Sequence, residues 1–437
     1  MAEPPPPNIR TPLQIRRTVA FATGLYRRRL DFAYHGYVRR DPMSRLHLRA
    51  GRDDPYAIYQ RLRARGALAP TRLGNWVTTS HRLCAAVLRD RRFGVRSAEL
   101  AVPSSPADEF DMSFLDRDPP DHTRLRRLVQ PAFSPKQMAG YRPRIERTVD
   151  ELLDSAAAAG DFDLVAAFAA PLPIAVITDL MGVPDADADR FAQVGTVIGS
   201  ALDGIGSLTH AARLRAANDE LRNLFETLFA LRRRVPADDV ISRIVAAQGE
   251  QIQPREMLPM CNLLLVAGFE TTVNLVGNAV NALLDNPDQW ADLCADPAGL
   301  AGPAIEETLR YDPPVQRTAR RALEDVELDG RTVAQGQFVV TLIGAANRDP
   351  AAFSDPDRFD IHRVQTADHL AFSSGIHYCI GQPLARLEAT IALRRLAERM
   401  PGLHRNGPLR RRVSSVVRGP IHLPVRAGAV ANVALPR

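Results

Sequence analysis

Hydrophobic spacing divides the chain into a short mixed beginning and a long, mainly helical body. From Asp54, the residues Pro55, Tyr56, Ile58, Tyr59 and Leu62 follow helical spacing. Residues 74–79, with Trp76 and Val77, predict a strand, followed by a helix over about 80–88. Residues 94–118 are rich in Pro, Ser and Asp without a clear period and predict a long loop. Ser134-Pro135 predicts an N-cap and first helical position, opening a helix to about Leu153. Gly182-Val183-Pro184 breaks the next helix, and 185–234 reads as two helices around a turn at 204–207. A long helix begins near Pro254 and stops before Asn286-Pro287. Beyond Asp312 short strands are expected at Val326–Leu328 and 338–343, then a Pro/Asp-rich meander and a last helix after Gly381. The fold class is therefore mainly α with a minor β region. Residues 1–50 form a Pro/Arg-rich extension, disordered at Pro4 to Pro7, and 51–437 form one domain with ample length for a core.

Composition narrows the picture. The formal charge is +6, carried almost wholly by arginine, with Lys136 the lone lysine. Spread over 437 residues this is too weak for nucleic acid, though a local basic patch would suit an acidic protein. Cys84, Cys261, Cys294 and Cys379 show no C-x-x-C spacing, which argues against a disulfide framework or zinc and for a reducing, cytoplasmic setting. No uninterrupted apolar run is long enough for an ordinary transmembrane helix. The apolar segment 18–26, bracketed by arginines, is expected to be a helical extension packed on the body and leaves open a weak peripheral membrane contact.

One cysteine stands out by its neighbours. In Phe372-Ser373-Ser374-Gly375-Ile376-His377-Tyr378-Cys379-Ile380-Gly381, a single cysteine sits between two glycines and just before a helix whose apolar stripe is Leu384, Leu387 and Ile391. Glycines let backbone approach a flat ligand, and a helix N-terminus favours thiolate. On the long helix, Glu270 is the only charge between Cys261 and Leu284, within Ala267-Gly268-Phe269-Glu270-Thr271-Thr272. An acid in an apolar helix is costly without a task or a partner. A helix-interior glycine costs about 1 kcal/mol, and close approach of a ligand would justify Gly268. Thr271 can bond back to a carbonyl and open the helix locally. Glu307 and Arg310 share a helix face at i,i+3.

The cysteine segment resembles the haem-ligand loop of cytochromes P-450, F-x-x-G-x-H-x-C-x-G, with Ser373 where most members carry glycine. The family is the thiolate-ligated class of haem proteins. The resemblance runs from about Asp54 to the C-terminus. It implies a cytochrome P-450 fold with haem b between the long central helix and the cysteine loop, and Cys379 as the iron ligand. Ala267, Gly268, Phe372 and Gly381 would line the haem. Glu270 and Thr271 would guide protons to bound dioxygen. Glu307-Thr308-Leu309-Arg310 resembles the family's E-x-x-R brace, whose third member is expected to be Arg358, in Pro356-Asp357-Arg358-Phe359, with Arg363 the less favoured choice. Asn347-Arg348-Asp349-Pro350 also follows the family pattern. His122 and Arg126, Arg320 and His377 would hold the haem propionates, which as carboxylates call for such donors.

The activity so implied is a monooxygenase acting on an apolar or amphipathic small molecule and dioxygen. No flavin, dinucleotide or Fe–S motif is present, so the resemblance implies a separate ferredoxin and its reductase, with Arg124, Arg127 and Lys136 as a basic docking face. The substrate would be lined by the 94–118 loop, the 185–234 helices, Leu264 to Thr271, and residues 315–319. A monomer is expected. The alternatives are a haem-thiolate peroxygenase, a non-catalytic haem sensor, or a helical protein without cofactor.

Overall fold

A computed structural model describes residues 12–72, 74–95, 111–200, 205, 207–364, 366–412 and 414–428. Part of the expected turn at 204–207 and most of the 94–118 loop lie outside the described residues. Helices dominate. The largest cluster of buried side chains gathers around the helix Pro254–Leu284, hereafter the central helix. It starts on a reciprocal cap in which Glu256 accepts from the Gln253 amide at 2.8 Å. It is long and apolar enough to cross a membrane, yet 83% of its apolar window is buried inside the protein, which identifies it as a core helix.

Around it pack the helices Pro171–Met181, Asp185–Gly199, Leu208–Arg234, Pro297–Tyr311 and Gln382–Arg399, and Pro135–Ala159 lies on Gln382–Arg399 and Pro171–Met181. The helix opened by Ser134-Pro135 has the expected extended backbone at Ser134 but no side-chain cap bond, and it continues past Leu153 to Ala159. Alanines 156–159 carry it on, and Gly160 at φ +71° ends it. The break at Gly182 is a left-handed glycine at φ +74°.

A five-stranded sheet lies to one side, in the order Leu68–Pro70, Trp76–Thr78, Phe338–Thr341, Thr318–Ala322, Phe93–Gly94. Only Trp76–Thr78 and Phe338–Thr341 run parallel, with Val77 opposite Val340. The strand expected over 338–343 stops at Thr341, because Ile343–Ala346 turns into a short helix that buries all four residues. The hairpin Val326–Leu328 with Arg331–Val333 turns on Asp329 and Gly330, both at positive φ, the geometry of a two-residue turn matched to strand twist.

The buried ion pair that braces the core involves a different third member from the one expected. Arg310 clasps Glu307 in two bonds, at 2.7 and 2.8 Å, with both side chains essentially sealed from water. The third member is Arg363, whose Nε donates to Glu307 Oε1 at 3.2 Å. Arg358 is exposed and supplies only its backbone carbonyl, which accepts from Arg310 and Arg363, each at 2.9 Å. The local reason is the turn at Asp355, whose positive φ folds the meander so that carbonyls 354, 355 and 358 point at Arg363. Arg310 further donates to the carbonyls of Asn347 and Pro356.

These contacts predict a sharp asymmetry in urea unfolding. Arg363→Ala should cost about 2–3 kcal/mol, since it removes a charged donor from a buried carboxylate. Arg358→Ala should lie within about 0.5 kcal/mol of the parent. Equal losses for the two would contradict this assignment.

Candidate active site

The cysteine loop is held by its own backbone. The Ser373 amide donates to Leu370 O at 2.8 Å, and the Cys379 amide donates to Phe372 O at 2.9 Å. Ser373 sits at φ +65°, which explains why glycine suits this position and costs a serine about 1–2 kcal/mol. Gly375 is at φ +70°, and a Cβ there would lie 2.4 Å from Leu88 O, so only glycine fits. Gly381 is less constrained: a Cβ would meet only Phe133, at 3.8 Å. Arg89 ties Ser374 at 2.7 Å. Burial raises the Cys379 thiol above its ordinary value. The backbone amides of Gly381 and Gln382 at the helix start, and the charges of Arg126 and Arg386, pull it back. The expected depression by the helix end is present but outweighed by burial.

Next to this loop the structure gathers four of the expected donors. The His122 and His377 rings lie 4.5 Å apart. Neither ring nitrogen of His122 meets a hydrogen-bond partner of good geometry, although the Ile376 backbone approaches it, and His377 Nε2 is likewise unsatisfied. Arg320 is buried and donates only to Thr318 Oγ1 and Ala319 O on its own strand. Arg126 donates to Tyr378 O at 2.6 Å. Burial pushes His377 down to about 3, helped by the charges of Arg320, His122 and Arg126. Burial and Arg126 lower His122 too, and burial lowers Arg320 to about 10. Two guanidiniums grouped with two imidazoles whose buried ring nitrogens lack partners suit an anionic ligand.

On the central helix, Ala267 is exposed and Thr271 half-buried one turn later, although the helix is buried on either side of them. The two line an interior space. Thr271 Oγ1 donates to Ala267 O at 3.1 Å, the back-bond expected from sequence, but the helix runs unbroken through it. The expected reason for Gly268 is corrected. A Cβ there would strike Ile177 at 2.6 Å, so packing against Pro171–Met181 demands the glycine. Glu270 does find a partner. Its carboxylate pairs with Arg412 and lies against Gly199, where a Cβ would come within 3.0 Å of it.

Residues 301–399 match the family model for cytochrome P450. The chain is 47% identical over 321 residues to cytochrome P450 107B1 of Saccharopolyspora erythraea, covering 72% of this chain and 77% of that protein. It is 41% identical over 387 residues to the cytochrome P450 monooxygenase PikC of Streptomyces venezuelae, covering 85% and 91%. The crystal structure of the myxobacterial CYP267B1 in complex with myristic acid superposes with a TM-score of 0.81 at 38% identity, covering 88% of this chain and 99% of that one. The chain belongs to the cytochrome P450 family. Its fold is the P450 fold and its class is that of a P450 monooxygenase.

The residues present fit the family's haem-thiolate cofactor. A P450 needs a sulfur ligand, donors for two carboxylates and a flat space. Here Cys379 opens the helix Gln382–Arg399, which packs directly on the central helix. His122 and His377 keep buried ring nitrogens without partners, Arg320 is buried beside them, and Ala267 is exposed in an otherwise buried stretch of helix. Phe372 takes part through its ring, under the Arg386 guanidinium at 4.5 Å.

Several residues of this P450 site were invisible in the sequence. Glu306 holds both His369, at 3.1 Å, and Arg386, at 2.6 Å, tying Pro297–Tyr311 to the cysteine loop and its helix. Burial works against its carboxylate, but hydrogen bonds from His369 and Arg386 hold it down to about 2. Arg412 comes from a C-terminal segment with no motif. Arg124, expected on a docking face, is corrected as well. It is locked to Glu256 at 2.8 Å and Asp121 at 2.9 Å, while Arg127 and Lys136 are exposed.

Breaking the Glu270–Arg412 pair from one side should be expensive. Arg412→Ala takes a guanidinium away from a buried carboxylate and should cost roughly 3–5 kcal/mol. Adding Glu270→Gln should recover part of that loss, giving a coupling of about 1 kcal/mol or more in a double-mutant cycle. Simple additivity would show that the contact does not couple the two residues.

Proposed function

We propose that this P450 inserts one oxygen atom from dioxygen into an apolar or amphipathic small molecule, by hydroxylation or epoxidation, with electrons from a separate ferredoxin and its reductase. The observation that carries the reading is the pair of buried, unsatisfied imidazoles, His122 and His377, grouped with Arg126 and Arg320 beside Cys379, a donor set that suits the carboxylates of a haem. Haem b, held without covalent attachment, is the form this donor set supports. When bound, the haem supplies the redox chemistry that activates dioxygen and oxidises the substrate.

The chain's own residues have separable tasks. Cys379 offers sulfur to the metal, and the amides of Gly381 and Gln382 moderate its charge. His122, Arg126, Arg320 and His377 hold the carboxylates. Glu307, Arg310 and Arg363 keep the framework behind them in place. Thr271 holds its hydroxyl proton on Ala267 O, leaving oxygen lone pairs to accept a proton-bearing partner in the interior space. Glu270, oriented by Arg412, is the acid of the same route. Phe269, Leu264 and Val266 give the central helix an apolar character that excludes water. The relative in complex with myristic acid is consistent with a lipophilic substrate. On the cysteine side, Ile376 and Tyr378 are exposed, Arg126 donates to Tyr378 O, and Arg127 and Lys136 are exposed on the neighbouring helices, a mix of apolar and basic groups that suits an acidic electron donor.

The reduced protein with carbon monoxide should give the red-shifted Soret band of thiolate-ligated haem in the difference spectrum, and Cys379→Ala should abolish it. A band at the shorter wavelength typical of histidine ligation would remove Cys379 as the ligand.

Thr271→Ala should still consume NAD(P)H through the redox partners while product per NAD(P)H falls by roughly tenfold or more and peroxide appears. Undiminished coupling would exclude the hydroxyl from the proton route. Product formed from peroxide, but never with redox partners, would favour the peroxygenase reading.

A further inference from the structure

The helix Pro12–Ala33 has two apolar faces, and the body covers only one. Phe21, Leu25 and Phe32 lie on the inner face, within about 40° of arc at helical spacing. Leu25 is buried, Phe21 and Phe32 are half-buried, and Phe32 stacks on His47 at 4.1 Å. This matches the packed extension expected from the sequence.

Among the described residues, nothing buries the opposite face. Val19, Tyr26 and Leu30 stand at i, i+7 and i+11, again within about 40° of arc. They are 58%, 48% and 71% exposed. The stripe continues through the π-turn Tyr34–Val38, where Tyr34, Tyr37 and Val38 are all exposed. Arg27 and Arg29, both exposed, flank the stripe at about 60–100° to either side, and exposed Arg39 and Arg40 follow it. Residues 12–40 hold seven arginines and one acid, Asp31, which pairs with His35 at 3.4 Å.

We propose that this outer stripe seats the protein on an anionic lipid surface, with Val19, Tyr26, Leu30 and Tyr34 in the acyl boundary and the arginines on lipid phosphates. The chemistry of the face selects this occupant. Tyrosines with an apolar body and a polar tip suit the headgroup level, and arginines flanking an apolar stripe extend their stems upward to the phosphates. A second copy of the chain would set arginine rows against arginine rows. A lipid surface places phosphate opposite exposed Arg27, Arg39 and Arg40. The helix lies in the plane of the surface rather than across it, because its inner face stays on the protein.

The test is flotation of the full-length, haem-loaded protein with vesicles of phosphatidylcholine alone and of phosphatidylcholine mixed equally with phosphatidylglycerol. The parent should float with the mixed vesicles and at least about tenfold less with phosphatidylcholine alone. The double variant Tyr26→Ser, Leu30→Ser changes only exposed side chains and should keep its melting temperature while losing about tenfold or more of the vesicle affinity. Arg27→Glu should narrow the preference for anionic vesicles. Absence of flotation with either composition overturns the proposal, as does flotation unchanged by the double variant. A dimer on gel filtration that the double variant breaks, without vesicle binding, assigns the stripe to a second copy and overturns it as well.

Discussion

A carboxylate and two guanidiniums sealed from water set the frame for everything else in this protein. Glu307 would be ruinously costly alone in the core, and its attraction to Arg310 repays the desolvation only because every remaining donor is also used. Arg310 therefore spends its other hydrogens on the carbonyls of Asn347, Pro356 and Arg358, and Arg363 does the same with Ser354, Asp355 and Arg358. Satisfying one buried charge thus fixes a stretch of irregular chain that has no sheet or helix of its own. From there the order propagates: Asn347 bridges Leu309 O and the Leu370 amide, Leu370 O accepts from Ser373, and Phe372 O accepts from Cys379. The sulfur's position is an end point of that chain of bonds.

The second consequence is electrostatic. The framework places His122, Arg126, Arg320 and His377 in one neighbourhood, with Asp118 the carboxylate that acts on His122 and Arg320. Burial, then repulsion from the neighbouring cations, disfavours the charged form of both imidazoles. Folding alone gains nothing from such crowding. A bound dianion turns each unsatisfied donor into a charge-assisted bond, so ligand binding and the stability of this region are linked.

Long periodic segments and chemically unusual residues were the legible part of the sequence. The limits of the central helix, the lone charge between Cys261 and Leu284 and the cysteine between glycines could be read because each breaks a local expectation in a way that tertiary structure must answer. What could not be read was the identity of partners brought from far along the chain. Arg358 and Arg363 are five residues apart in a meander without a period, and only the turn at Asp355 decides which one faces Glu307. Arg412 reaches Glu270 from a segment with no pattern, and Glu306 looked like any surface acid beside Glu307. Spacing reports which face a residue occupies, and it cannot report what another element delivers to that face.

Gly268 shows where a correct motif carried an incorrect physical reason. A glycine beside an expected ligand site invites the argument from close approach, yet the atoms it spares belong to Ile177. The effect on the site is indirect. Ile177 seated in the notch lets Pro171–Met181 pack tightly along the central helix. The open space then falls beside Ala267 and Thr271 and not behind Gly268. The helix also stays whole where opening was expected. Thr271, Thr272 and Asn274 donate to the carbonyls of Ala267, Gly268 and Glu270, carbonyls with a second lone pair to spare. Such back-bonds bend a helix slightly at small cost. Small side chains and satisfied hydroxyls let an intact helix present an alcohol to an interior space, and the proton route then needs no break in the backbone.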